Sequence, residues 1–401
     1  MNYSNRNLIL MIKNNINVGI DIGTHTTKVV VTGINKETNS LSLLATGISE
    51  TSGMRLGYIT NIDQVADGVR KAIKQAESTL GFKIKKACVS IGGISLGSSI
   101  STGSVIISRA DQEITQLDVT KVLAISEENL EITNKKIIHI IPIEYKLDNK
   151  IIHGRPEGMH GIKLEVKTLF ITCLKQNVED LVTALGLANI EATDVIATPV
   201  ALSAILLNSK QKTAGCALVD IGAETVSLSI FENNLLVSLQ VYSIGSMDIT
   251  KDIALGFKIA LEEAESVKLG SVLGGDYPKK KVDEIIEARL GDIFELVENH
   301  LKRIKRNGLL PAGIIITGGG AHISKIEEIA KKQLNLPAKV GPVDNTINNK
   351  FKIKDYTWYC AYGLALSYSQ FSGGNINETS IGDNIKQVKK FFKSVFSQLL
   401  P

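Results

Sequence analysis

The sequence predicts an α/β protein of two like halves that face each other across a cleft. Two related segments, residues 17–36 and 216–234, each read as a strand, a Gly/Thr-rich turn and a second strand. Since they lie about half a chain apart, they indicate an internal duplication. Elsewhere, apolar residues recur at helical spacing in some stretches and alternate as in strands in others. We therefore expect helices and strands in both halves.

Length and composition are those of an ordinary globular protein. The 401 residues allow two or three domains, and 44% hydrophobic with 21% charged residues exclude disordered and collagen-like classes. Four widely spaced cysteines without a CxxC pair fit a reduced cytosol rather than a disulfide framework. No apolar run approaches the roughly 20 residues of a membrane span. Residues 1–16 are predicted to form a flexible leader.

In the first half, the elements follow from apolar periodicity. Asp63 to Leu80 predicts a helix, residues 84–108 are strand-like, and Thr115 to Leu130 is again helical. Residues 137–147 and 163–174 alternate as strands do. Because residues 84–163 have their own strand–helix–strand order, we predict a subdomain inserted into the first half.

In the second half, charged amphipathic helices precede a buried strand. Residues 260–268 and 282–306 have helical periodicity, and residues 313–317 form an apolar run that ends in three glycines. Helices are predicted for residues 324–334 and about 355–370. A polar, Gly/Ser/Asn-rich flexible linker follows at residues 371–384.

The turns of both hairpins carry residue types that bind phosphate. DIGTHTTK (21–28) offers backbone N–H groups, hydroxyls, glycine for close approach to an anion, and a lysine. DIGAET (220–225) repeats the pattern in the second half. Asp21 and Asp220 end the strands before these turns, where paired carboxylates can hold a hydrated Mg²⁺ that bridges phosphates.

The glycine triplet Gly318–Gly320 differs from the common nucleotide motifs. It lacks the third glycine of G-x-G-x-x-G, because that position is Ile323, and the chain contains no G-x-x-x-x-G-K-[ST]. A strand-to-helix turn without side chains remains, and its backbone can pack on a purine or ribose. The alternative is close packing of strand against helix.

Together, these motifs resemble the actin/Hsp70/sugar-kinase ATPase superfamily. DIGTHTTK matches the first phosphate loop, DIGAETVSL the second and ITGGGA the adenosine loop. Within the superfamily, the chain resembles the bacterial cell-division FtsA family from about residue 17 to 368 and again at residues 385–400. RADQEITQLDV, IIHIIPIEYKLDN, PEGMHGIKLEV and IIEARLGDIFELV carry that likeness.

The resemblance implies an actin-like ATPase fold with two RNase-H-like halves around a nucleotide cleft, an inserted α+β subdomain and a C-terminal amphipathic helix. In the family's terms, the domain limits would be 17–83 for subdomain 1A with 164–197 and 345–370, 84–163 for inserted 1C, 198–245 for 2A with 313–344, and 246–312 for 2B. The resemblance also implies ATP and Mg²⁺ as cofactors. The residues expected to bind nucleotide are Gly23, Thr24, Thr26, Lys28, Asp220, Gly222, Ala223, Glu224, Glu265, Lys268, Gly318, Gly319 and Gly320, with Asp21 and Asp220 on the metal side.

Two departures concern the γ-phosphate side. Ala223 and the bulky Glu224 stand where relatives often carry glycine, so the second loop is expected to be narrower. Actin-like proteins place the residue that orients the attacking water on the helix after an ATP-type turn. The matching stretch here, residues 198–210, contains no Asp, Glu or Gln. Weak or no ATPase activity is therefore expected.

All of the excess charge lies in one terminal segment. The net charge is +4, and residues 385–400 contain four lysines and no acid, which leaves a neutral body that needs no nucleic-acid partner. On a helix, lysines and apolar residues fall on opposite arcs, which is typical of an interfacial membrane anchor. A core or coiled-coil helix is the alternative. The predicted membrane residues are Ile385, Lys386, Val388, Lys389, Lys390, Phe391, Phe392, Lys393, Val395, Phe396 and Leu399.

The resemblance implies a peripheral protein on the cytoplasmic face of the cell membrane, at the division site. Its expected partners are the C-terminal peptide of the tubulin-like FtsZ, other copies of itself in a filament, anionic lipid and later division proteins. The predicted partner surface is Arg289, Asp292, Glu295, Lys302 and Lys305. Two alternatives stay open: a pilus-assembly homologue of the PilM type, which should lack the lipid helix, and a small-molecule kinase or chaperone ATPase.

Overall fold

The computed structural model describes residues 16–35, 40–272, 277–341 and 355–371. The predicted membrane helix and nearly all of the predicted linker and leader lie outside these residues. Strands are β1 (Ile16–Ile22), β2 (Thr26–Asn35), β3 (Ser40–Glu50), β4 (Met54–Arg55), β5 (Tyr58–Ile59), β6 (Lys86–Ile91), β7 (Gly97–Ile106), β8 (Lys135–Leu147), β9 (Lys150–Ile152), β10 (Lys163–Leu174), β11 (Glu191–Ala197), β12 (Cys216–Ile221), β13 (Val226–Glu232), β14 (Leu235–Tyr242), β15 (Ile314–Thr317) and β16 (Ala338–Val340). Helices are α1 (Ile62–Leu80), α2 (Gln116–Glu128), α3 (Lys175–Leu187), α4 (Thr198–Leu206), α5 (Ser209–Ala214), α6 (Ser246–Phe257), α7 (Leu261–Lys268), α8 (Lys279–Arg303), α9 (Ile326–Leu334) and α10 (Tyr359–Phe371).

The first half is built on a five-stranded sheet of order β11-β6-β1-β2-β3. β1, β2 and β3 are antiparallel neighbours, whereas β6 and β11 run parallel to β1. α1 packs on β3, and α10 packs on β1. Gly19 permits this approach, since a Cβ there would lie 2.1 Å from the carbonyl oxygen of Ala361.

The second half repeats that topology. Its sheet has the order β14-β13-β12-β15-β16, with antiparallel pairing from β12 to β14 and parallel pairing through β15 to β16. Each sheet is thus an antiparallel meander of three strands extended by two parallel strands. This correspondence confirms the two like halves that the repeated hairpins predict.

The inserted unit is a four-stranded antiparallel sheet of order β7-β10-β8-β9, on which α2 packs. Its limits differ from the predicted 84–163. The strand Lys86–Ile91 pairs with β1 and β11 in the first sheet, whereas Lys163–Leu174 pairs with β7 and β8. The sequence does not mark the change of sheet near residue 92, because residues 84–108 form one strand-like stretch interrupted only by Gly and Ser.

Three helices, α6, α7 and α8, pack together beside the second sheet. α8 buries one face, which includes Ile286, Leu290 and Phe294, and exposes charged residues on the other. The Arg289 guanidinium on α8 donates two hydrogen bonds to Asp252 on α6, at 2.7 and 3.0 Å. Among the described residues, no helix is both long and apolar enough to span a bilayer.

Candidate functional site

A cavity of about 270 Å³ lies between the two halves, and both hairpin turns and the glycine triplet line it. Strand ends of the two sheets therefore meet where the sequence predicts phosphate binding. The predicted site residues that line the cavity are Asp21, Gly23, Thr24, Thr26, Lys28, Asp220, Gly222, Ala223, Glu265, Lys268, Gly318 and Gly319.

The two turns close with the same hydrogen bond. Gly23 N–H donates to the carbonyl of Thr26 at 3.1 Å, and Gly222 N–H donates to the carbonyl of Thr225 at 2.9 Å. We call residues 23–26 loop one and residues 222–225 loop two. Their equivalence shows that the sequence repeat is also a repeat of backbone geometry.

Asp21 and Asp220 lie close enough to interact electrostatically. Ser90 on β6 donates a 2.7 Å hydrogen bond from Oγ to Asp21 Oδ1. Burial, with a further contribution from the charge of Asp21, raises the pKa of Asp220 to about 7. Two carboxylates that face one cavity in this way favour a cation or proton between them.

Lys28 is the buried base of this centre. It lies opposite Asp21 in the β1–β2 ladder, and its Nζ donates a 2.8 Å hydrogen bond to Thr26 Oγ1. Burial lowers the pKa of Lys28, whereas Asp21, Asp355 and Asp220 oppose that shift. The Nζ also lies 5.9 Å from the ring centroid of Trp358, within the range of cation–π attraction.

The glycine triplet divides into two roles. Gly318 has φ +88°, and a Cβ there would lie 2.4 Å from Asp220 Oδ1, so no larger residue fits. At Gly319 the nearest heavy atom to such a Cβ would be Thr357 Cγ2 at 3.9 Å, which leaves the backbone open to the cavity. Gly320 does not line the cavity: it packs on Ile221, where a Cβ would be 2.4 Å from Cγ2. Close packing, the alternative for this motif, therefore accounts for Gly320.

Glu265 and Lys268 form a half-buried polar cluster with Thr250 of α6. Lys268 Nζ lies 2.7 Å from Glu265 Oε2 and donates to Thr250 Oγ1 at 2.9 Å, while Thr250 donates to Glu265 at 2.6 Å. Burial opposes ionisation of Glu265, yet the bonds from Lys268 and Thr250 hold its pKa below the ordinary value. The pair thus presents fixed charge at the cavity wall.

Glu224 does not face the cavity. Its Oε2 accepts a 2.6 Å hydrogen bond from the backbone N–H of Leu56, in the turn between β4 and β5 of the first half. The bulk at this position therefore reaches across to the other half instead of filling the phosphate side. Sequence position alone does not predict this direction, because the partner lies 168 residues away.

Several lining residues escape sequence reasoning. His322 and Tyr356 lie beside the glycine triplet with ring centroids 5.1 Å apart, and Thr198 of α4 and Cys360 of α10 also line the cavity. Burial raises the pKa of the Cys360 thiol well above its ordinary value. His322, Tyr356 and Cys360 carry no motif, and only the folded arrangement brings them to the site, whereas Thr198 begins the stretch 198–210 that the resemblance aligns with the helix after the ATP-type turn.

The predicted partner surface is partly engaged within the chain. Arg289 also bonds to Asp292 at 3.1 Å, in addition to its two bonds with Asp252. Lys302 pairs with Glu298 at 2.8 Å. Glu295 is exposed, and Lys305 follows the end of α8 with φ +58°. Arg289 therefore braces α6 against α8, whatever else it contacts.

The described residues fit a Mg²⁺–nucleotide complex. Among them, no group of three His, Cys, Asp or Glu side chains could hold a metal ion alone. Mg²⁺ commonly takes only one or two carboxylates and completes its shell with water and phosphate oxygens. Asp21 and Asp220 can supply that share, with Lys28 and the two loops available to phosphates. The open backbone at Gly319 provides a flat surface for the remainder of a nucleotide.

Comparison with solved structures supports the fold. The chain superposes on the PilM–PilN type IV pilus biogenesis complex with a TM-score of 0.64 at 15% identity, over 87% of this chain and 97% of that one. Ethanolamine utilization protein EutJ from Carboxydothermus hydrogenoformans gives 0.54 at 17% identity, over 88% and 89%. At these identities the likeness shows the fold alone.

Sequence comparison identifies the family. The model of the family "Cell division protein FtsA" matches residues 217–357, and that of "SHS2 domain inserted in FTSA" matches residues 93–172. Cell division protein FtsA of Bacillus subtilis (strain 168) is 31% identical over 351 residues, 82% of this chain and 79% of the relative. That of Pseudomonas aeruginosa (strain PAO1) is 29% identical over 348 residues, 81% and 82%. With the duplicated halves and the inserted sheet, this likeness along most of the chain confirms the resemblance of the motifs: the protein belongs to the FtsA family of bacterial cell-division proteins.

Proposed function

We propose that this protein binds ATP with Mg²⁺, polymerises on the cytoplasmic face of the membrane at the division site, and tethers the FtsZ ring there. The observation that supports nucleotide binding is the convergence of loop one, loop two and Gly319 on one cavity between like halves. The cavity has residues suited to each part of a Mg²⁺–nucleotide complex. The two loops and Lys28 suit the phosphates, Asp21 and Asp220 suit the metal, and the open backbone at Gly319 suits a flat ring.

The α4 side of the cavity supports binding rather than rapid hydrolysis. α4, which begins at Thr198, contributes Thr198, Pro199 and Leu202 to the lining. None of these can orient or deprotonate an attacking water as Gln, Glu or Asp does. The proposal is therefore a nucleotide-controlled assembly with weak or no ATPase activity.

Membrane attachment is proposed for residues 385–401. Four lysines near an anionic leaflet contribute about 1 kcal/mol each, and partial insertion of Phe391, Phe392 and Phe396 adds to that. Since one such helix binds reversibly, several helices on one filament should bind with much higher avidity. Attachment and polymerisation are thereby coupled. Later division proteins are the proposed partners of the assembled filament.

The α6–α8 face is the proposed site for the C-terminal peptide of FtsZ. Membership of the FtsA family favours this role over a pilus-assembly protein or a small-molecule kinase. Glu295, Lys302 and Lys305 are the residues on this face that we would substitute first for direct contact.

A reconstitution with liposomes tests the membrane anchor and the FtsZ tether. Full-length protein, anionic liposomes, FtsZ and Mg²⁺–ATP are sedimented together, and FtsZ should pellet only when this protein is present. A chain that lacks residues 385–401 should leave both proteins in the supernatant. Unchanged pelleting of the shortened chain overturns the anchor, and FtsZ that stays in solution while the full chain pellets overturns the tether.

A further inference from the structure

The contact between Glu224 and Leu56 joins the two halves next to the cavity. Glu224 belongs to loop two, whereas Leu56 belongs to the β4–β5 turn of the first half, and the N–H to Oε2 bond measures 2.6 Å. We call this contact the cleft latch. A hydrogen bond to an ionised acceptor is stronger than one between neutral groups.

The first-half end of the cleft latch is held firmly in place. Leu56 and Gly57 both have positive φ, +52° and +77°, which is the backbone of a tight hairpin turn. The Leu56 carbonyl accepts from Ile94 N–H at 3.2 Å, and Gly57 stacks on Gly93, where a Cβ would lie 2.2 Å from Cα. Since a leucine at positive φ is strained, these contacts maintain the turn that points the Leu56 N–H at Glu224.

The second-half end is equally constrained. The first turn of α6 donates to loop two, with Ser246 N–H to the Gly222 carbonyl at 2.9 Å and Met247 N–H to the Ala223 carbonyl at 2.8 Å. A Cβ on Gly245 would lie 2.3 Å from the Ala223 carbonyl oxygen. Loop two therefore cannot shift without α6, so the latch opens by separation of the halves or rotation of Glu224.

The dimensions of the cavity favour that opening. Sites for drug-sized ligands occupy about 300–1,000 Å³, and this cavity, at about 270 Å³, lies just below that range. A nucleotide therefore gains room to enter when the halves move apart. The cleft latch crosses between them beside loop two without lining the cavity itself.

We propose that Glu224 controls nucleotide entry and release by holding the halves together through the Leu56 N–H. The proposal rests on the nucleotide binding proposed above and adds its regulation. The same contact must break for a nucleotide to enter and to leave. Its loss should therefore raise the rate constants of nucleotide association and dissociation by similar factors and change the equilibrium affinity little.

The kinetic test uses Trp358, the only tryptophan, as reporter. Stopped-flow mixing with Mg²⁺–ATP and Mg²⁺–ADP is compared for wild type, Glu224→Ala, Glu224→Gln and, as control, Glu284→Gln, which changes an exposed carboxylate of the same half. Loss of a charge-assisted bond predicts rate constants about tenfold higher in both directions for Glu224→Ala. Glu224→Gln keeps an acceptor and should give a smaller increase, and the control should match wild type.

Three kinetic outcomes contradict the latch: unchanged rates in Glu224→Ala, a change in dissociation alone, or an equal effect of both substitutions confined to ATP. The last would indicate charge repulsion. Hydrogen exchange of the Leu56 amide provides a readout without nucleotide, and should be about tenfold faster in Glu224→Ala than in wild type or control. Unchanged exchange overturns the latch. If wild type binds no nucleotide, the proposed function fails, and the exchange result still decides the latch.

Discussion

Lys28 stands directly opposite Asp21 in the β1–β2 ladder, and both side chains lie at the cavity that Asp220 reaches from the other half. The buried ammonium of Lys28 partly compensates the negative charge of these two carboxylates, which repel each other. A polyphosphate with Mg²⁺ carries both negative and positive charge. The phosphates can therefore pair with Lys28, and the Mg²⁺ with Asp21 and Asp220.

The double variant Lys28→Ala with Asp220→Ala tests this centre. It removes one base and one acid, so the net charge is unchanged while the phosphate donor and one metal-side carboxylate are lost. We expect at least a hundredfold weaker binding of Mg²⁺–ATP by calorimetry, since two charge-assisted interactions disappear. Wild-type affinity in a folded double variant would contradict the site assignment.

Gly245 predicts a linked loss of stability and binding. A Cβ there would lie 2.3 Å from the Ala223 carbonyl oxygen, so Gly245→Ala forces α6 and loop two apart. Overpacking of this kind costs about 1–3 kcal/mol in the free energy of unfolding, to be measured in urea, and nucleotide affinity should fall with it. Gly291→Ala is the matched control, because nothing lies within 4 Å of its added Cβ on α8. That helix position should gain stability, by about 0.5–1 kcal/mol.

Arg289 offers a way to separate bracing from direct partner contact. Its side chain is 30% exposed and its two bonds to Asp252 fix α6 against α8. If bracing is its role, Arg289→Ala and Asp252→Ala should weaken FtsZ-peptide binding by similar factors, and the double variant should be no worse than either. A harmless Asp252→Ala beside a damaging Arg289→Ala would instead show that the guanidinium touches the peptide.

Asp194 makes stability depend on pH. It lies on β11, 8% exposed, and burial raises its pKa to about 7 although the Val195 N–H donates to it at 2.8 Å. The folded state holds this proton more tightly than the unfolded state, whose pKa is about 3.9. The stabilising contribution is therefore complete below about pH 4 and is lost as pH rises through 7.

Asp194→Asn should remove that part of the pH dependence. Urea unfolding at pH 5 and pH 8 should show a smaller loss of stability at the higher pH than in wild type. Asp67→Asn, at an exposed residue of α1, should keep the wild-type difference. An unchanged pH dependence in Asp194→Asn would mean that the buried carboxyl does not titrate over this range.

Periodicity and turn residues in the sequence predicted the elements that depend on neighbouring residues. The two hairpins, the helix at Ile62–Leu80 and the strands of the inserted sheet follow from periodicity and turn residues. The place where the insert begins did not, because β6 and β7 both read as strand and only their pairing partners show that they join different sheets.

The site residues also fall into those that the motifs predict and those whose position depends on the fold. Motif residues such as Gly23, Gly222 and Gly319 line the cavity, because they stand in the turns at the strand ends that face it. Gly320 and Glu224 sit in the same motifs yet turn away, one to pack on Ile221 and the other to bond Leu56. The orientations of Gly320 and Glu224 depend on residues that are distant in the sequence, so the spacing of the motifs does not predict them.

Ser98 of β7 holds both backbone groups of Leu239 on β14: its Oγ accepts from the N–H at 2.8 Å and donates to the carbonyl at 3.1 Å. The inserted sheet is thereby fastened to the outer edge of the second sheet, although its chain enters and leaves through the first half. In the second sheet β13 lies between β14 and β12, and loop two is the turn that joins β12 to β13. Ser98 therefore connects the insert, through β14 and β13, to the strands that loop two joins, so the insert and the wall of the cavity belong to one continuous hydrogen-bonded network.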